Sequence, residues 1–184
     1  MNSGRPAIRL AVPDDVPEIR RLIDASVRGL SASHYSSAQI DSALRHVFGV
    51  DTHLIADETY FVVEAGTEIA AAGGWSRRGT LYGGDQLKNG ADPLLDPSTD
   101  AARIRAFFVH PSWTRRGLAS RIFGECLDAA QRSGFDRFEL AATLPGEPLY
   151  AALGFTVAER YVAQMPDGEE LPLARMTRRI ERLT

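Results

Sequence analysis

A chain of 184 residues with 44% hydrophobic content can bury one substantial core and hardly two. Its net charge of -3 argues against a nucleic-acid binder, which normally carries a basic surplus, and its four Arg-Arg pairs, beginning at Arg20, Arg77, Arg115 and Arg178, are scattered and partly offset by acids. A single cysteine excludes an internal disulfide, and no stretch approaches the roughly 20 apolar residues of a membrane span.

Residues 7–11 alternate as a short first strand. Pro13 then stands where a first helical turn accepts it, with Asp14 and Asp15 favoured by the helix dipole. Ile19, Leu22, Ile23 and Val27 give that helix a buried face, and residues 36–48 read as a second helix through Ile40, Leu44, Val47 and Phe48. Residues 60–65 and 69–75 flank Gly66-Thr67, a hairpin signal. From Ser76 to about Ala101 the pattern dissolves into Gly, Asp, Pro and Ser, a long excursion of the kind that is often functional. Residues 103–109 read as a buried strand rich in strand formers, and Pro111 ends the ladder because it has no N–H to give. After Gly117, the residues Leu118, Ile122, Cys126 or Leu127, and Ala130 recur at helical spacing, which makes Cys126 a small core residue. A strand over 137–142, a break at Pro145-Gly146 and a short helix carrying Tyr150 follow, with Gly154 as its C-cap. Residues 155–163 and 173–180 form a final antiparallel pair around the Asp167-Gly168 turn. Neither a repeat nor a linker interrupts the pattern, so one domain over residues 6–182 is expected. The opening residues lack the apolar centre of a secretion signal, and with the lone cysteine this points to the cytoplasm.

The turn between the strand at 103–109 and the helix after Gly117 has almost no side-chain bulk. A first helical turn carries backbone N–H groups without intrahelical partners and the positive end of the helix dipole. Gly117 and Ala119 leave those groups open to an anion, and Arg115 and Arg116 add charge beside them, which makes a cradle suited to a pyrophosphate. A P-loop would need Lys-Ser/Thr after its last glycine, where Leu118-Ala119 stands, and a dinucleotide fingerprint would need three spaced glycines.

Two segments together resemble the GNAT (Gcn5-related) N-acetyltransferase superfamily. Its acetyl-CoA signature, Arg/Gln-x-x-Gly-x-Gly/Ala, corresponds to Thr114-Arg115-Arg116-Gly117-Leu118-Ala119, and its Tyr-x-x-x-Gly-Phe segment to Tyr150-Ala-Ala-Leu-Gly154-Phe155. The likeness runs from about Ile8 to about Ile180, and the two motifs stand in the family's order and spacing. It implies an α/β (α+β) fold: a single GNAT-like domain with a mixed, mostly antiparallel sheet of about six or seven strands and about four helices on its faces. The fourth and fifth strands would splay around CoA. By the same resemblance, acetyl-CoA is the donor and CoA the product. Its phosphates would lie on Thr114, Arg115, Arg116, Gly117, Leu118, Ala119 and Ser120, and its pantetheine arm on backbone groups of Phe108 and Val109. Tyr150 matches the family position that donates to the CoA sulfur and is expected to act as general acid. Two positions depart from the family: Thr114 replaces Arg or Gln, and Thr143 stands where many relatives have Asn.

The expected reaction is direct attack of a primary amine on the thioester in a ternary complex. An alkylammonium of pKa ~10.4 is neutral in only about one molecule in 2,500 at pH 7, a deficit of roughly 4.6 kcal/mol. A base or an apolar pocket must supply part of it. Glu64 and Glu139 are the candidates on the strands, Glu64 being taken as the catalytic one; His110, a water-mediated base or no base at all stay open. By resemblance, the acceptor pocket would draw on residues 29–35, 75–100 and 161–173, with His34, Tyr35, Trp75, Tyr82 and Asp85 as its furniture. The acceptor is a small-molecule amine or a protein amino group, with no nucleic acid and no membrane as partner. A homodimer is compatible with the sequence and not demanded by it. His34, His46 and His53 show no ligand spacing with one another or with Cys126, so no metal site is expected. The alternative reading is a non-catalytic CoA-binding sensor or accessory module.

Overall fold

The computed structural model of the chain describes residues 6–181, so residue 182, the far end of the expected domain, lies outside the described residues. Seven strands make one sheet: β1 (Ala7–Leu10), β2 (Tyr60–Ala65), β3 (Glu68–Ser76), β4 (Ala102–Val109), β5 (Arg137–Thr143), β6 (Thr156–Gln164) and β7 (Glu170–Arg179). Their order across the sheet is β1-β2-β3-β4-β5-β7-β6, and every pairing is antiparallel except β4 with β5. Five helices cover the two faces. Helices α1 (Val16–Ser31), α2 (Ser37–His46) and α3 (Thr52–Ala56) share one core with Val62, Ile69 and Ala72 of the sheet. Helices α4 (Leu118–Arg132) and α5 (Glu147–Ala152) share the other with Phe138, Leu140 and Met176.

Ile19, Leu22, Ile23 and Val27 are buried along α1, as their spacing requires. Cys126 lies on the buried face of α4 with Ile122 and Ala130, and burial pushes its thiol pKa up. Helix α2 starts at a capping box in which Ser36 Oγ accepts from the Gln39 N–H at 3.1 Å and Gln39 Oε1 accepts from the Ser36 N–H at 2.9 Å. It stops two residues short of the expected Phe48. The N–H groups of Val47 and Phe48 both turn back onto the Ala43 carbonyl, and residues 47–50 leave the helix to form part of a cavity wall and a loop contact. The pattern assigned no element to α3, which has only five residues and is capped by Asp51 accepting from the His53 N–H at 3.0 Å.

Two irregularities of β4 open the sheet and decide which side chains face each core. Its parallel pairing with β5 is limited to Ala102 with Phe138 and Arg103 with Glu139, after which the strands part. The register against β3 also slips between Ala72, opposite Phe108, and Gly74, opposite Arg105, so Ala106 and Phe107 together face Gly73. Ala106 takes a φ of 53°, and the extra residue reverses the alternation of faces. Ile104 and Phe107 join the α4–α5 core, whereas Ala106 and Phe108 pack on the α1–α2 core. Gly73 makes this possible: a Cβ there would come within 2.7 Å of the Phe107 ring.

The excursion between β3 and β4 is tied down at several points. Arg78 makes a two-pronged ion pair with Asp57 at 2.6 and 2.8 Å, and the N–H groups of Gly84 and Asp85 reach the carbonyls of Val47 and Val50. No described helix is long and apolar enough to cross a membrane.

Candidate active site

Where β4 and β5 part, a cavity of about 780 Å³ opens and is walled by residues from both cores, so it passes through the sheet. One end is the turn leading into α4. Gly117 is the N-cap at φ 74°, and no side chain caps the helix, so the first-turn amides of Leu118, Ala119 and Ser120 are left to a ligand or solvent. An added Cβ on Gly117 would meet nothing within 4 Å, which leaves room for an anion. Arg115, at φ 60°, lies in the wall with Thr114 and residues 117–120. Thr114 does not cap the helix; its hydroxyl donates to the Pro111 carbonyl at 3.1 Å. Arg116 is outside the cavity wall, its guanidinium 4.6 Å from the centre of the Trp113 ring.

Between the ends stands Tyr150 on α5, buried, in the wall, and edge-on to Phe107 and Phe155 at 6.1 and 5.9 Å between ring centres. Burial pushes its phenol pKa up, so the group keeps its proton at neutral pH. Among the described residues the hydroxyl has no hydrogen-bond partner. The turn into α5 is held by Thr143, whose hydroxyl and carbonyl both accept from the Gly146 N–H, at 3.2 and 3.0 Å. Threonine thus steadies this turn where relatives use asparagine. On the other side of the cavity, Tyr60 donates to the carbonyl of Ala106 at 2.8 Å and fixes the bulge.

The far end is closed by the last turns of α1 (Val27, Leu30, His34), by residues 47–49 and by residues 81–84 of the excursion. Arg105 is 2% exposed and holds this end together: its Nη2 donates to Asp51 Oδ2 at 2.9 Å and to the Gly83 carbonyl at 2.7 Å, and its Nη1 to the Thr80 carbonyl at 3.0 Å. Burial draws the guanidinium pKa down and Asp51 and Asp92 oppose the shift; it starts so high that it stays charged. Asp51 also accepts from the Lys88 ammonium. The Arg105–Asp51 pair gave no sequence signal, because an arginine on a strand and an aspartate before a five-residue helix each read as ordinary surface residues.

A sequence model described as the acetyltransferase (GNAT) family matches residues 25–155. The chain belongs to this family. Solved structures share its fold at low identity. A GCN5-related N-acetyltransferase of Rhodopseudomonas palustris is 18% identical at a TM-score of 0.69, over 97% of this chain and 98% of that one. The PaiA N-acetyltransferase of Thermoplasma acidophilum, solved with coenzyme A, is 12% identical at 0.64, over 96% and 99%. The protein yncA of Salmonella typhimurium, solved with acetyl-CoA, is 18% identical at 0.62, over 98% and 97%. No curated protein matches the sequence.

In this GNAT chain the structure gathers Phe108, Val109, Thr114, Arg115, Gly117, Leu118, Ala119, Ser120 and Tyr150 around one cavity. It does not bring the expected carboxylates there. Glu64 sits on the outer edge of the sheet, 43% exposed, where Arg9 holds it at 2.7 Å. Its strand is separated from the cavity by β3, so the assignment of Glu64 as base has no geometric support. Glu139 is bound by Arg103 and, at 2.8 Å, by Arg175. His110 accepts from the Ser112 N–H at 3.2 Å as the cap of the next turn. Of the residues expected to furnish the acceptor pocket, His34 and Tyr82 are in the wall. Tyr35 instead bridges the Pro172 carbonyl and the Leu144 N–H, Trp75 packs edge-on to Phe135 in the core, and Asp85 accepts from the Thr52 N–H.

Proposed function

We propose that the protein transfers the acetyl group of acetyl-CoA to a primary amine by direct attack in a ternary complex. The observation that carries this reading is the cavity through the sheet, with an uncapped helix start on one side and a chamber on the other. Acetyl-CoA supplies an activated acyl group. The open amides of residues 118–120 and the Arg115 guanidinium would hold its phosphates, and the unpaired edge of β4 beyond Arg103 would align the pantetheine arm. Tyr150, protonated and unpartnered, would donate to the departing sulfur, which has a thiol pKa near ~8.5 by analogy with cysteine. With Glu64 remote, no carboxylate base is invoked. The cytoplasm, a reducing compartment in which the buried Cys126 thiol stays free, is the proposed setting.

Calorimetry with acetyl-CoA, followed by thiol release in the presence of an amine, tests the reading. For Tyr150→Phe we expect an unchanged dissociation constant and a kcat about 100-fold lower. Full turnover in that variant would remove Tyr150 as the acid. Wild-type protein that does not bind acetyl-CoA would remove the transferase reading altogether. The lack of a carboxylate in the cavity wall also favours a second reading, a CoA-binding sensor, which predicts tight binding with no thiol released by any amine.

A further inference from the structure

The acceptor chamber restricts which amine can enter it. Among the described residues, no aspartate or glutamate lines the cavity; the charged side chains of its wall are Arg105 and Arg115, with the exposed His34 at the mouth. The carboxylates behind the wall are already engaged. Asp51 Oδ2 accepts from Arg105, and Asp51 Oδ1 accepts from the His53 N–H and from Lys88. Asp92 Oδ1 accepts from the Thr80 N–H. An ammonium group entering here would lose its water next to a fixed guanidinium and gain no anion in return. The remaining surface is apolar: Val27, Leu30, Phe48, Tyr82 and Phe108, with the rings of Phe48 and Phe108 meeting at 80° and 6.3 Å. Such a corner fits the face and edge of a flat ring.

We propose that the acceptor is an aromatic amine, one whose nitrogen lone pair is shared with its ring and which is therefore neutral at physiological pH. The inference rests on the acetyl-transfer reading and also accounts for the missing base, since a neutral amine has no proton to lose before it attacks. The nitrogen lone pair forms the C–N bond at the thioester carbonyl carbon, and the C–S bond breaks with its electrons going to sulfur. Tyr150 delivers a proton to that sulfur and is reprotonated through solvent by the proton released from nitrogen. The products are the N-aryl acetamide and CoA thiol, and the equation balances without another reactant.

The test uses p-toluidine, spermidine and a lysine-containing peptide with the full-length protein. Acetyl-CoA binding is first established by calorimetry, p-toluidine is then titrated into the CoA-loaded protein, and thiol release is measured with each amine. Expected are saturable binding of p-toluidine and a kcat/KM at least about tenfold above those for spermidine and the peptide. Leu30→Asp, which places a carboxylate in the wall at a half-exposed helix position, should move that preference about tenfold towards spermidine. Faster turnover of spermidine or of the peptide by the wild type overturns the proposal. So does a protein that binds acetyl-CoA but neither binds nor acetylates p-toluidine. A protein that fails to bind acetyl-CoA fails at the earlier step and takes the transferase reading with it.

Discussion

At the phosphate end of the cavity the wall is mostly backbone: two residues at positive φ, Arg115 and Gly117, and a run of uncapped amides within six residues of sequence. At the acceptor end the wall is held by side chains that reach across the chain, Arg105 to Asp51 over 54 residues and Arg105 to Gly83 over 22. The first arrangement depends on local conformation and tolerates exchange of exposed side chains. The second depends on a few buried polar contacts and loses its shape when one of them goes. Substitutions aimed at one end should therefore leave the other intact.

The largest effect is expected for Arg105→Met. It leaves the 1%-exposed Asp51 side chain without its main partner, a change that destabilises by about 3 kcal/mol, the low end for a broken buried pair because Lys88 still contacts Asp51. Urea unfolding should report that loss, and the amine KM should rise, while calorimetry finds acetyl-CoA affinity within about twofold of wild type. A large loss of acetyl-CoA affinity would show that the two ends are one mechanical unit.

Gly117→Glu is the reciprocal case. A side chain at φ 74° strains the backbone by about 1 kcal/mol, and its carboxylate faces the site of the phosphates. Acetyl-CoA affinity should fall at least about 100-fold, or roughly 2.7 kcal/mol. Binding of p-toluidine to the protein without CoA should be unaffected if the acceptor chamber stands on its own.

Tyr60→Phe probes the boundary between the ends. Removing the hydroxyl that fixes the Ala106 carbonyl should cost about 1 kcal/mol of stability. If the bulge positions the reacting carbonyl, kcat should fall while both KM values hold. An unchanged kcat would make Tyr60 a purely structural residue.

The same contrast explains how much of the molecule is legible in its sequence. The strand–turn–helix at β4 and α4, the Tyr150 helix and the closing hairpin all carry local punctuation: Pro111, Gly117, Pro145, Gly154 and Gly168. Seven strands with β4 splayed from β5 followed from the motifs through the family likeness. The bulge left a trace as well, because paired glycines at 73 and 74 inside a strand mark a close approach. The acceptor end had no such marks. Asp51, Arg105 and residues 81–84 are far apart in sequence, and nothing in the types alone says that they meet. Glu64 was misplaced for a related reason: β2 alternates correctly, but alternation gives a face of the sheet and not the distance from the splay.

The smallest effect concerns the outer tether of the acceptor end, Asp57 with Arg78. Hydrogen bonds from Arg78 hold the Asp57 carboxyl below its ordinary pKa, against the opposing effect of burial. A depressed carboxyl pKa contributes stability that is complete above the unfolded-state value of about 4 and disappears as pH falls through the folded-state value. With Asp57 13% and Arg78 28% exposed, the pair is worth about 1 kcal/mol at pH 7. Asp57→Asn should therefore be less stable than wild type at neutral pH, and the gap should close near about pH 3, where the wild-type carboxyl is protonated too. Hydrogen exchange locates the effect: in the variant, amides of residues 77–95 should exchange faster at neutral pH, and those of α4 should not. Equal acceleration in α4 would mean that the acceptor end and the phosphate end open together, and that their separate construction does not give them separate stability.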